Sequence, residues 1–202
     1  MRKNVKKQLA LRVLSTAALM AMVSSIATAA FADTYDLNKG SVTVETKENG
    51  ITYVTQENTE INDHQDDTGV TITSYGKQTE NTITVDTAKD QTTDVTLQDV
   101  HIETEGSWNN TGSAPIEIKG DGDTNLELNG DNTVLSGDRH HAAIEKADKN
   151  GHGTLTIKDD LNDDNSTPKD KDENGNAVGK DTGKLVAGGY YNGAGIGGGS
   201  YH

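Results

Sequence analysis

The chain has 202 residues, a formal net charge of −14 and no cysteine. The acidity repels phosphate backbones and argues against a nucleic-acid partner. The absence of Cys excludes a disulfide framework and a thiol-anchored lipoprotein.

The first 32 residues read as a signal peptide. Arg2, Lys3, Lys6, Lys7 and Arg12 form a basic start, and an apolar stretch from about Leu14 to Ala29 follows. Ala30-Phe31-Ala32 offers small residues for cleavage before Asp33. The apolar stretch is short and broken by Ser and Thr, unlike a membrane anchor. The expected product is exported, extracellular or at the cell surface, with no membrane insertion after cleavage. Its cationic segment removed, the remainder is five charges more negative still.

Beyond Asp33 about one residue in six is Leu, Ile, Val or Phe. That lies below the roughly 20% that, with high net charge, marks disordered chains. The placement of those few residues argues the other way. They come in alternating pairs: Val42/Val44, Val70/Ile72, Ile83/Val85, Val95/Leu97, Val100/Ile102, Ile116/Ile118, Leu126/Leu128 and Leu155/Ile157. Spacing by two puts each pair on one face of a strand. Gly, Asn and Asp clusters close nearly every strand. No stretch shows helical periodicity, so an all-β chain is expected.

A longer period overlies the alternation. "GSAPIE" (112–117), "HHAAIE" (140–145) and "NGAGIG" (192–197) each carry Ala, one residue, then Ile. The polar stretch 161–181 reads as an insertion between the last two units. Units of this length bury their apolar face only by stacking on neighbours. The expected fold is a right-handed parallel β-helix (β-solenoid), its successive turns about 4.8 Å apart. Residues 33–82 fit the period poorly and are expected to form an N-terminal cap or irregular first coil. Residues 83–202 would form the coils. The glycine-rich ending "NGAGIGGGSYH" reads as the opening of a further coil, hence as the N-terminal part of a longer protein.

The series "NTITV", "VTLQDVHIE", "APIEIKG", "GDNTVLSG", "GTLTIKDD" and "AGIGGG" resembles exported Gram-positive surface proteins of the carbohydrate-binding-domain-containing, β-helix repeat type. The resemblance spans most of residues 33–202. It implies a right-handed parallel β-helix and a polysaccharide-binding role with bound calcium and no established hydrolysis, related in fold to pectate lyases.

Three groups of residues are candidates for chemistry. "DKDENGNAVGKD" (170–181) matches the spacing of a calcium loop. Asp170, Asp172 and Asn174 alternate, Gly175 makes the sharp turn, Asn176 offers a carbonyl and Asp181 closes the loop in place of Glu. Calcium is the expected cofactor, a solvated acidic insertion the alternative. Trp108, Tyr190 and Tyr191 offer rings able to stack on sugar faces. "GDRHH" (137–141) holds Arg139, the one arginine after the signal segment, and would supply the base of a polysaccharide lyase. No carboxylate pair for glycoside hydrolysis is evident, so an enzyme is not expected. The leading expectation is a non-catalytic polysaccharide-binding or adhesive module, its partner a polysaccharide, with acidic glycans among the candidates. A structural stalk and a lyase are the alternatives.

Overall fold

The computed structural model describes residues 33–66, 69–106, 112–146, 152–159, 183–190 and 193–198. The chain divides into two units, Met1–Phe31 and Ala32–His202, and all described residues belong to the second. Sixteen strands occur among them. In chain order they begin with β1 (Asp33–Asp36), β2 (Val42–Thr46), β3 (Thr52–Gln56), β4 (His64–Asp66) and β5 (Val70–Thr73). Next come β6 (Gln78–Thr79), β7 (Ile83–Thr87), β8 (Thr92–Gln98), β9 (His101–Glu103), β10 (Ile116–Lys119) and β11 (Asp123–Asn129). The last are β12 (Asp131–Ser136), β13 (Ile144–Lys146), β14 (Leu155–Lys158), β15 (Lys184–Gly189) and β16 (Ile196–Gly197). The helix described is one 3-10 turn, Leu37–Lys39.

Seven of the eight alternating apolar pairs lie within strands. Val100 sits one residue before β9. The strands β1, β3, β4, β6, β12, β13, β15 and β16 carry no such pair. Strand β3, "TYVTQ", holds one fully buried apolar residue, Val54.

The strands sort into three sheets. One runs β1-β5-β8-β11-β14, a second β16-β13-β10-β7-β2-β3-β4, and the third β15-β12-β9-β6. The first and third are parallel throughout. The second is mixed, because β3 pairs antiparallel with both β2 and β4. The expected closed, right-handed parallel β-helix is therefore corrected. The described strands make three separate parallel and mixed sheets, and no closed solenoid is found among them. Neighbouring parallel strands are joined by crossovers, the connection of α/β sheets, with strands of the other sheets where crossover helices would stand. The physical reason for the miss is specific. A recurring phase fixes which strands neighbour one another; it carries no information on whether the sheets close.

The phase itself is observed. Ile116 pairs with Ile144, and Ile144 with Ile196. In the other direction Ile116 pairs with Ile83, which faces Val42. Val42, Ile83, Ile116 and Ile144 are at most 1% exposed. A parallel column forms in the first sheet, where Tyr35, Ile72, Leu97 and Leu128 are successive register partners. Threonine hydroxyls continue the interior: Thr93 Oγ1 donates to Thr46 at 2.6 Å and shares a hydrogen bond with Thr87 at 2.7 Å. Turns stack equally closely. Gly120 adopts φ of +77°, and a Cβ there would run into the Thr87 carbonyl.

One column is interrupted. Val44, Val85 and Ile118 are register partners in turn, and the next position is Lys146. Its Nζ is shielded from solvent and has no hydrogen-bond partner among the described residues. An unsatisfied buried donor costs about 1–3 kcal/mol. Lys146→Met keeps the aliphatic stem and removes the amine. It should raise stability by about that amount, read as a higher urea midpoint at unchanged slope. A lower midpoint would show that the amine is satisfied in solution.

Tyr35 is buried, and its hydroxyl donates to Asp66 Oδ2 at 3.3 Å. Burial, then the charges of Asp66 and Asp33, push its phenol well above the ordinary range. Above about pH 10 the unfolded chain loses this proton and the folded one keeps it. Stability gained from Tyr35 is thus complete below pH 10 and declines as pH rises further. Tyr35→Phe should cost about 1 kcal/mol at neutral pH. The gap to wild type should narrow above pH 10 in urea titrations.

Candidate functional site

The four-stranded sheet turns one face inward and one outward. Ile102 and Val134, register partners, are fully buried. Alternation then sends their neighbours outward. Gln78, His101, Thr133 and Val186 form one outward row, and Glu103, Leu135 and Gly188 the next. Val186 is 59% exposed, an apolar residue left open on this face.

A trough lies where the strands end. Its larger part, about 440 Å³, is lined by Glu80, Glu103, Thr104, Glu105 and Tyr190, with Gly106 and Gly137 beneath. A contiguous part of about 220 Å³ adds Leu135, Ser136, Gly188 and Gly189. Glycines make the trough: side chains are missing where the strand ends approach most closely. A Cβ on Gly137 would collide with the Thr104 carbonyl, and one on Gly189 with the Gly193 carbonyl.

The floor is held by hydrogen bonds. Thr104 N–H donates to the Leu135 carbonyl at 3.1 Å, and Gly137 N–H to Thr104 Oγ1 at 3.3 Å. Ser136 Oγ donates to the Asp138 carbonyl at 3.2 Å. Tyr190 stands at the rim, 53% exposed, and its carbonyl accepts from Gly193 N–H at 3.0 Å. Among the described residues, no Lys or Arg lines either part of the trough. It offers one aromatic face, carboxylate and hydroxyl acceptors, and an open shape.

The sequence-predicted residues fare differently. Tyr190 is on the trough. Trp108 and Tyr191 lie outside the described residues, as do all five calcium-loop residues, Asp170, Asp172, Asn174, Asn176 and Asp181. Among the described residues, no group of three or more His, Asp or Glu is arranged to hold a metal ion.

The "GDRHH" segment is built into its own surroundings. Asp138 is fully buried, and its Oδ1 accepts from His140 N–H at 2.7 Å. Arg139 Nε donates to His140 Nε2 at 2.9 Å. His141 Nδ1 and Glu145 Oε2 are 2.9 Å apart, and the same carboxylate oxygen accepts from Ala142 N–H. Arg139 does not line the trough. At the turn "GDGD", Asp123 Oδ1 accepts from Thr154 N–H at 2.7 Å, so that carboxylate ties one turn to the next.

Sequence reasoning missed Tyr75, the most exposed large hydrophobic residue described, at 64%. The signal was present in "SYGK": a Tyr beside a Gly in a turn, where a ring has little to pack against. No protein-family model, curated protein or solved structure matches the chain.

Proposed function

We propose that the protein is a non-catalytic polysaccharide-binding module in which Tyr190 is the sugar-stacking ring. The observation that carries this reading is the half-exposed Tyr190 ring on an open trough beside Glu103, Thr104 and Glu105. A sugar has an apolar C–H face and a rim of hydroxyls. An aromatic ring suits the first. Carboxylates accept hydrogen bonds from the second more strongly than neutral groups do. An open trough admits a polymer at any point along its length, whereas an enclosed pocket of the usual small-molecule kind admits an end or a monomer.

The charge of the trough bears on the ligand. With three glutamates and no basic residue among the described residues that line it, a polyuronate meets repulsion unless a cation bridges the two. A neutral glycan meets none. The neutral chain is therefore the preferred ligand of this trough. Calcium-assisted binding of an acidic glycan rests on the loop 170–181. Display outside the cell rests on residues 1–32. A lyase draws less support, since Arg139 bonds to the neighbouring His140.

A glycan array with immobilised neutral and acidic polysaccharides tests the reading. Neutral glycans should be retained, and Tyr190→Ala should weaken retention about tenfold, the loss of roughly 1.4 kcal/mol. No retention of any glycan by the wild-type chain leaves the structural stalk as the reading. Chelator treatment probes the loop separately. If 170–181 holds calcium, chelation lowers the thermal midpoint and weakens acidic-glycan retention. An unchanged midpoint removes calcium from the account.

A further inference from the structure

A second concavity, about 530 Å³, opens on the same sheet at the other end of its strands. Tyr75, His101, Thr133, Asp99 and Asp131 line it. The two concavities share strands. Strand β9 gives His101 to this one and Glu103 to the trough. Thr133 on β12 faces this one, while Leu135 and Ser136 face the trough. Thr133 and Leu135 are both outward and two residues apart, about 7 Å along the strand. From the row of Asp131 and Lys184 to Tyr190 is six residues, on the order of 20 Å.

The turn that carries Tyr75 is fixed. Tyr75 has φ of 53° and Gly76 φ of 67°. A left-handed non-glycine residue is strained and persists when its surroundings impose it. Here Tyr75 N–H donates to Thr73 Oγ1 at 2.9 Å, Gly76 N–H to the Asp99 carbonyl at 2.7 Å, and Lys77 N–H to the Ser74 carbonyl at 3.0 Å. Ser74 Oγ accepts from His101 N–H at 2.8 Å. So a rigid backbone holds out a ring that buries little and contributes little to the core.

The neighbouring carboxylates make contacts of their own, while the Asp131 side chain stays largely exposed. Asp99 Oδ1 accepts from Asp131 N–H at 3.1 Å, and Asp131 pairs with Lys184 at 3.2 Å. A ligand therefore meets a ring, an imidazole, a hydroxyl and carboxylate acceptors, a set that can stack on and hydrogen-bond an uncharged sugar.

We propose that the outer face of this four-stranded sheet is one continuous tract for a neutral polysaccharide chain, with Tyr75 as its second sugar-stacking platform opposite Tyr190. This rests on the polysaccharide-binding reading above and extends it from a single contact to a span of several sugars. Two weak, open subsites on one rigid face bind a long chain tightly. Once the first is engaged, the second sees the chain at a high effective concentration.

Titration calorimetry on the full chain tests this, using neutral linear oligosaccharides (cello- and manno-oligosaccharides) from disaccharide to octasaccharide. Affinity should rise at least tenfold as the oligosaccharide becomes long enough to reach both tyrosines. Tyr75→Ala should abolish that rise and leave the octasaccharide bound as weakly as the short sugars. Tyr75→Phe, which keeps the ring and the turn, should retain it. If Tyr75→Ala leaves octasaccharide affinity unchanged while Tyr190→Ala weakens it, the tract is overturned and the single trough stands. If the wild-type chain binds none of these sugars and no glycan on the array, both fall together.

Discussion

The structure depends on in-register stacking of like residues between parallel strands. Val42, Ile83, Ile116, Ile144 and Ile196 occupy one such column. Each presents its side chain where the next strand places another of nearly the same shape, so a chain poor in large apolar residues still fills its interior. Burial is complete at the middle of the column and lapses at Ile196, 49% exposed. In the same strands, the position two residues on is less uniform: an amine at Lys146 stands where Val44, Val85 and Ile118 are apolar. The interior threonines meet in kind. Thr46, Thr87, Thr93 and Thr124 bond to one another, each hydroxyl serving as partner for the next.

The same register builds the outer face. Because every inward column fixes its neighbours outward, Gln78, His101, Thr133 and Val186 must lie side by side, although 108 positions separate the first from the last. The glycines at 106, 137, 188 and 189 then hollow the strand ends, and the hydrogen-bonded turn at Ser74–Lys77 lifts a ring at the opposite corner. A face built in this way is held by its own hydrogen bonds, with or without the proposed ligand. Little ordering cost would accompany binding.

Much of the strand content was legible in the sequence, because alternation of β-branched residues is a local signal. The recurring Ala-x-Ile phase even foretold which residues pair: Ile116 with Ile144, and Ile144 with Ile196. The antiparallel pairing of β3 with β2 and β4 was not legible, since β3 buries one large apolar residue among Thr, Tyr and Gln. The arrangement of the sheets was not legible either. It depends on turns whose Gly, Asn and Asp residues suit many connections, and three parallel and mixed sheets took the place of the expected closed β-helix. Tyr190 could be singled out as an aromatic residue in a glycine-rich context. Tyr75 left only a local trace in "SYGK", because the turn that holds its ring out depends on a hydrogen bond from Gly76 to Asp99, 23 residues further on.

The most direct test of the account is a chemical-shift map of the folded chain titrated with a neutral oligosaccharide. The account predicts perturbations confined to the outer face of the four-stranded sheet, at Tyr75, His101, Thr133, Leu135 and Tyr190, with the column from Val42 to Ile144 unmoved. Perturbations centred on the other two sheets, or none at saturating sugar, would contradict it.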